Sequence, residues 1–139
     1  MAQKKSIRKK YSISVFFPCY NDSGSIAGLV KGADKILRRI ARDYEIIVID
    51  DGSYDESRKI LKRLTSKIPK LRLVFHKKNK GYGGALRSGF RAASKELVFY
   101  TDGDGQYDIG EIEKLLPLLK DNVAVVQGYK IKREDPLYR

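Results

Sequence analysis

The sequence predicts an α/β domain, a mostly parallel β-sheet with helices on both faces. Short apolar runs bounded by turn residues alternate with segments whose apolar residues repeat at helical spacing. The runs are apolar throughout rather than alternating with polar residues, as strands covered on both faces are. Every unusual cluster of acidic, amide and glycine residues follows the C-terminal end of one of these runs. In a parallel sheet those ends share one edge, where open α/β folds take ligands.

Residues 12–17 form the first predicted strand. Ile26, Leu29, Val30, Ala33, Ile36, Leu37 and Ile40 then mark the apolar face of a helix. Residues 45–49 are a second strand. Ser53 and Glu56 have the spacing of a capping box, opening a helix that carries Ile60, Leu61 and Leu64. Leu71–Phe75 is a third strand, and residues 81–93 are a helix with glycines near its start. Residues 96–101 are a fourth strand. Asp108 and Glu111 are placed to cap a helix bearing Ile112, Leu115, Leu116 and Leu119, which Pro117 should strain. Residues 123–127 are a fifth strand. No internal repeat or low-complexity linker interrupts the pattern.

The chain has 139 residues, 42% hydrophobic and 33% charged, the size and composition of one globular domain. Residues 1–11 read as a basic tail and 12–139 as the domain. No apolar run approaches the ~20 residues of a membrane span. The basic stretch from Met1 to Lys10 has no apolar run behind it, so no signal peptide is expected. The single cysteine, Cys19, excludes an internal disulfide and fits a reducing compartment such as the cytoplasm. Net charge is +12, with positives clustered in residues 4–10, 35–42, 58–63 and 77–80. Solvated helix faces are one reading of that charge. Attraction to an anionic membrane surface, worth about 1 kcal/mol per Lys or Arg near it, is a second. Nucleic acid is a third, but no nucleic-acid motif accompanies the charge.

The most informative stretch is residues 97–108. A strand-like run, Leu97 to Tyr100, leads into Asp102, Gly103, Asp104, Gly105 and Gln106. Acid–x–acid on an extended backbone puts two carboxylates on one side. Carboxylate and amide oxygens suit a hard divalent cation, which keeps substrate phosphates in its shell. Asp50-Asp51-Gly52-Ser53 follows the second strand. It is either a turn with a helix cap or an acceptor for a nucleoside base N–H or ribose hydroxyl. Tyr20, in the loop after the first strand, is placed to pack on a base. Cys19 reads as a packing residue and His76 as structural or solvated, because no nucleophile–base pair lies on neighbouring strand ends. Gly81-Tyr82-Gly83-Gly84 imitates a dinucleotide fingerprint but follows the third strand, with Leu86 where a small residue belongs. Residues 102–113 imitate a calcium loop, with Tyr107 where that loop needs Gly. The Asp-x-Asp of haloacid-dehalogenase-like phosphatases belongs after a first strand, and here it follows the fourth.

Pro18-x-Tyr20-Asn21-Asp22, Asp50-Asp51-Gly52-Ser53, Asn79-x-Gly81 with Gly84-Ala85, Asp102-x-Asp104-x-Gln106 and Gly128-Tyr129-Lys130 together resemble family 2 glycosyltransferases of the Rossmann-like GT-A fold. The resemblance runs from about Ser12 to Arg133. Within the family it is nearest the dolichyl- or polyprenyl-phosphate mannosyl- and glucosyltransferases. It implies that Pro18, Tyr20, Asp22, Ile49 and Asp51 line the base and ribose pocket. It implies that Asp102, Gly103 and Asp104 contact the sugar-nucleotide, with Asp102 and Asp104 as the catalytic carboxylates. Asp104 and Gln106 would hold Mg²⁺ or Mn²⁺, and Lys130 would stand near the diphosphate. Asp22 replaces the usual Glu, one methylene shorter. Lys130 replaces an Arg, exchanging a two-pronged donor for a point charge.

The resemblance further implies inverting transfer from a UDP- or GDP-linked sugar to an acceptor, a polyprenyl phosphate in this branch. It implies work at the cytoplasmic face of a membrane and no nucleic-acid partner. Family members are longer, so the 139 residues are expected to be the donor-binding part, ending before the acceptor-binding part. The alternative is a non-catalytic nucleotide-binding or scaffolding module.

Overall fold

The computed structural model describes residues 9–105 and 108–127. Among them, four parallel strands form one sheet in the order β3-β2-β1-β4. Strands β1 (Ser12–Cys19) and β2 (Asp43–Asp50) run side by side, from Ser12 against Asp43 to Cys19 against Asp50. β3 (Leu71–Phe75) lies outside β2 and β4 (Leu97–Tyr100) outside β1. The alternation of side chains along a strand sorts the core into two layers. Ile13, Val15, Phe17, Ile46 and Val48 face α1 (Ile26–Ile40) and α2 (Ser57–Lys67). Phe16, Ile47 and Ile49 face α3 (Gly81–Ala92), which meets them with Ala85. The expected apolar face of α1 is the buried one: Ile26, Leu29, Val30, Ala33, Leu37 and Ile40 are buried, and Ile36 packs against the same core from a partly exposed position.

Some elements depart from expectation. Ser53 and Glu56 do not form a capping box. The helix begins at Ser57, and its first turn is closed by Asp55, whose carboxylate accepts the Ser57 amide at 2.8 Å. Ser53 is engaged elsewhere, its amide on Asp50 and its hydroxyl accepting from the Asn21 amide. Asp108 does cap, accepting the Gly110 amide at 2.8 Å. The helix after it breaks into a 3₁₀ turn (Ile109–Glu111), one α-turn (Ile112–Leu115) and a second 3₁₀ turn (Leu116–Leu118). Pro117 lacks the amide that a continued α-helix would need there. Residues 123–127 form no strand: they find no ladder partner among the described residues, and Val125 is 78% exposed. An apolar run becomes a strand only where its backbone groups can pair.

A buried carboxylate ties the N-terminal edge of the sheet together. Glu45 of β2 is 6% exposed and accepts from the Ser14 hydroxyl at 2.7 Å, from the Ser94 amide and hydroxyl at 2.8 Å each, and from Arg72 at 2.5 Å. Burial pushes this carboxyl up, but the hydrogen bonds outweigh burial and hold it at about 2, below its ordinary 4.5. A carboxyl lowered by folding stabilises the fold above its unfolded value and loses that contribution as pH falls toward the folded one. Glu45→Gln should therefore cost about 2–3 kcal/mol at pH 7, and its deficit against wild type should shrink by more than half by pH 3. Urea unfolding at both pH values is the check; a deficit independent of pH would contradict this account.

Candidate functional site

Parallel register delivers the C-terminal ends of all four strands to one edge, and the loops that leave them are laced to one another. Asn21, after β1, adopts a left-handed conformation with φ of 53°, which asparagine tolerates better than most residues. From there its amide donates to the Ser53 hydroxyl at 2.9 Å, and its side-chain oxygen accepts from the amides of Tyr54 at 3.0 Å and Asp55 at 3.4 Å. Gly52 carries the β2 loop against the β3 loop. Its φ is 84°, and a Cβ there would lie 2.9 Å from the Asn79 nitrogen. The β4 loop is pressed onto the end of β1. The Gly103 amide donates to the Pro18 carbonyl at 3.1 Å, and the Ser25 hydroxyl donates to the Gly103 carbonyl at 2.8 Å.

The laced loops surround a cleft of about 420 Å³. Pro18, Cys19, Tyr20 and Asp22 border it from the β1 loop and Asp51 from β2. Asn79, Gly81, Tyr82 and Ala85 border it from the approach to α3 and its first turns, and Asp102, Gly103 and Asp104 from β4. Pro18, Tyr20, Asp22, Asp51, Asp102, Gly103 and Asp104, scattered over the sequence, are thus brought together as expected. Ile49 is not. It is fully buried against Phe16 and Ala85, because its position on β2 points it beneath α3 rather than past the strand end. Gln106 and Lys130, with Gly128 and Tyr129, lie outside the described residues. Asn79, Gly81, Tyr82 and Ala85 were not picked as site residues. Their signal was position: a glycine-rich segment opening the helix that follows a strand end.

The two aspartates at the end of β2 have separate duties. Asp50 is fully buried, held by Arg58 Nε at 2.6 Å and the Ser53 amide at 3.2 Å, and is structural. Asp51 borders the cleft, and its Oδ1 accepts from the Lys80 amide at 2.7 Å. His76, the chain's single histidine, is buried behind Asp51, with Nδ1 2.7 Å from the same Oδ1 and Nε2 2.7 Å from the Ser88 hydroxyl. It is structural, as expected, but joined to the site. Cys19 is a packing residue: burial first, then the Asp22 charge, pushes its thiol up to about 12.

At the β4 end the cleft is acidic although the chain carries a net charge of +12. The Asp22 carboxylate accepts the Tyr20 amide at 3.1 Å, and Tyr82 donates its hydroxyl to Asp102 at 2.8 Å. Burial raises the Asp22 carboxyl above its ordinary value, and the charges of Asp104, Asp55 and Asp102 raise it further. Such crowding favours a cation. Among the described residues, no three His, Cys, Asp or Glu side chains surround a common point. Mg²⁺ and Mn²⁺ can be held by one or two protein carboxylates with the remaining oxygens from a diphosphate, which is compatible with such a site. α3 starts at the cleft with no acidic residue in its first turn, so its amide dipoles favour an anion on the same side. The calcium-loop reading fails: Glu113, its twelfth position, is ion-paired with Arg39.

The parallel sheet, its helices and the strand-end cleft define a GT-A-type, Rossmann-like domain. The profile of Glycosyl transferase family 2 matches residues 14–139, and the chain belongs to that family. It is 29% identical over 141 aligned positions, 100% of this chain and 42% of the relative, to an undecaprenyl-phosphate 4-deoxy-4-formamido-L-arabinose transferase of Yersinia enterocolitica. It is 32% identical over 130 positions, 92% of this chain and 39% of the relative, to the enzyme of the same name from Pectobacterium atrosepticum. The chain therefore spans about two fifths of the length of these curated relatives. Among solved structures it resembles a Pyrobaculum calidifontis mannosyltransferase in complex with GDP-Man and Mn²⁺, with a TM-score of 0.62, 27% identity, and coverage of 70% of this chain and 29% of that one. It also resembles S. aureus TarS 1–349 in complex with UDP-GlcNAc, with a TM-score of 0.60, 26% identity, and coverage of 77% and 30%.

A Cβ on residue 103 would sit 2.4 Å from the Pro18 carbonyl oxygen, a contact no side chain can occupy. Gly103→Ala should cost about 1–3 kcal/mol of stability, the range for overpacking. Gly24→Ala, where a Cβ meets nothing within 4 Å, should be close to neutral. Denaturant midpoints of the two variants provide the check; equal midpoints would show that the β4 loop is free to move away from β1.

Proposed function

We propose that the protein binds a nucleoside diphosphate sugar together with Mg²⁺ or Mn²⁺ and transfers the sugar, with inversion, to a polyprenyl phosphate. The convergence of Asp22, Asp51, Asp102 and Asp104 with Tyr20 on one strand-end cleft carries this reading. The relatives named for transfer to undecaprenyl phosphate support the acceptor class. The structural relatives with GDP-Man and with UDP-GlcNAc support the donor class and leave both bases open.

In this reading Tyr20, 45% exposed at the cleft rim, packs on the base. Asp51 accepts a hydrogen from the base or ribose, and Pro18 and Asp22 close that pocket. Asp102, Gly103 and Asp104 would meet the sugar and diphosphate and Asp104 would hold the metal; the roles that the family resemblance implies for Gln106 at the metal and Lys130 near the diphosphate fall outside the described residues. When bound, the metal offsets the charge that builds on the leaving diphosphate. The acceptor phosphate arrives ionised, so an oxygen can attack the anomeric carbon from the face opposite the diphosphate without a general base. The protein's part is to hold donor and acceptor in line, which replaces a bimolecular encounter with a positioned one.

The acceptor is an anionic lipid, and the basic surface fits one. Lys62, Lys77, Lys78 and Lys80 make no ion pair among the described residues, and they flank Phe75 at the outer edge of the sheet, 37% exposed. No helix among the described residues is long and apolar enough to cross a membrane. We place the protein at the cytoplasmic face of a membrane, held there by charge.

Asp104→Ala should abolish the Mn²⁺-dependent part of UDP or GDP affinity. Asp51→Ala should weaken the nucleotide by ~1–3 kcal/mol with and without metal, the cost of leaving a polar partner unsatisfied. Calorimetric titration separates the two effects. Undiminished metal dependence in Asp104→Ala would refute the metal assignment. Tight nucleotide binding with no sugar transfer by the natural polypeptide would favour a non-catalytic nucleotide module.

Flotation with anionic vesicles should show binding at low salt and release as ionic strength rises, since a surface contact is screened over ~8–10 Å. Tighter binding to random duplex DNA than to those vesicles at equal salt would replace the membrane with nucleic acid.

A further inference from the structure

We infer that His76 is a positioning residue that orients Asp51 for nucleoside recognition; the inference rests on the cleft being the nucleotide site. Asp51 and His76 are each 4% exposed, and their side chains meet at 2.7 Å. An ionised carboxylate can only accept, so the proton between them belongs to His76 Nδ1. Nε2 lies 2.7 Å from the Ser88 hydroxyl, which can donate to it in the neutral Nδ1–H tautomer. The Lys80 amide donates to the same Asp51 oxygen at 2.7 Å. Oδ1 is therefore committed to the protein twice. Both hydrogen bonds to the Asp51 carboxylate among the described residues fall on Oδ1, and Asp51 borders the cleft. A free Asp side chain can present either oxygen at many angles. Here the imidazole and the Lys80 amide leave one oxygen for a ligand, at one angle.

The imidazole is itself clamped. Its ring is tied to α3 through Ser88, and its carbonyl takes the Arg58 guanidinium at 2.7 Å, the same Arg58 that holds Asp50. Besides Asp51, the charged residues near it include Arg58, Lys77, Lys78 and Lys80, and Asp50, whose carbonyl accepts the His76 amide at 2.8 Å. The relay thus runs from α3 through β3 to the tip of β2, and it links the helix that opens onto the cleft with the carboxylate that reads the base. Its members are separated by 25 and 12 residues along the chain.

The test has a spectroscopic arm and a binding arm. With a single histidine in the sequence, long-range ¹H–¹⁵N spectra of the imidazole report one residue. The neutral Nδ1–H tautomer is expected; the Nε2–H tautomer would overturn the inference, whatever the protein binds. In the binding arm, UDP and GDP are titrated with and without Mn²⁺. His76→Phe keeps a flat ring and loses the donor, and affinity should fall about tenfold, equally with and without metal. His76→Asn places an amide N–H where Nδ1 stood and should stay within about threefold of wild type. In an Asp51→Ala background, His76→Phe should cost nothing further, because the group it positions is gone. Full additivity there, unchanged affinity in His76→Phe, or His76→Asn binding as weakly as His76→Phe would each reduce His76 to a packing residue. Failure of wild type to bind either nucleotide would instead remove the underlying reading of the cleft, and the inference with it.

Discussion

The amide of Gly103 on the carbonyl of Pro18 sets the shape of everything at the ligand edge. It brings the loop after the fourth strand within backbone contact of the end of the first, so Asp102 and Asp104 arrive beside Asp22. The approach is possible because residue 103 has no side chain. Asn21 does the corresponding work on the other side, spending its amide and its side-chain oxygen on the loop after β2. A buried loop must satisfy its own polar backbone, and these loops do so by bonding to one another. The cleft is what remains between them.

That arrangement concentrates negative charge. Asp22, Asp102 and Asp104 lie close enough that burial and mutual repulsion raise the Asp22 carboxyl. The opposite edge of the sheet shows the contrast. There Glu45 is buried, yet hydroxyls, an amide and a guanidinium satisfy it. One carboxylate edge is complete in itself and stabilises the fold. The other gathers carboxylates at the edge where open α/β sheets take ligands.

Much of this was legible in the residues because strand burial and helical periodicity are local signals. The face of α1 could be read position by position, and Leu71–Phe75 is a strand with the expected ends. The cleft residues could be listed because parallel strands oblige their C-terminal loops to converge. Contacts between elements could not be read. Ser53 looked like a helix cap, yet it answers to Asn21, 32 residues earlier. Ile49 stands one residue from Asp50 and two from Asp51, but strand alternation turns it into the core. The Asp51–His76–Ser88 relay joins three separate elements, and no spacing rule announces it. Residues 123–127 have the composition of a strand and no ladder partner among the described residues, which composition cannot supply.

We propose that Asp104 holds a cation, beside Asp102, at a site that a nucleoside diphosphate completes. Paramagnetic broadening by Mn²⁺ in amide spectra locates such a site directly. With UDP or GDP present, the resonances of Asp22, Gly103 and Asp104 should disappear at low Mn²⁺, and without nucleotide they should persist. Broadening that ignores the nucleotide, or that centres on surface carboxylates such as Glu56 and Glu111, would contradict the account.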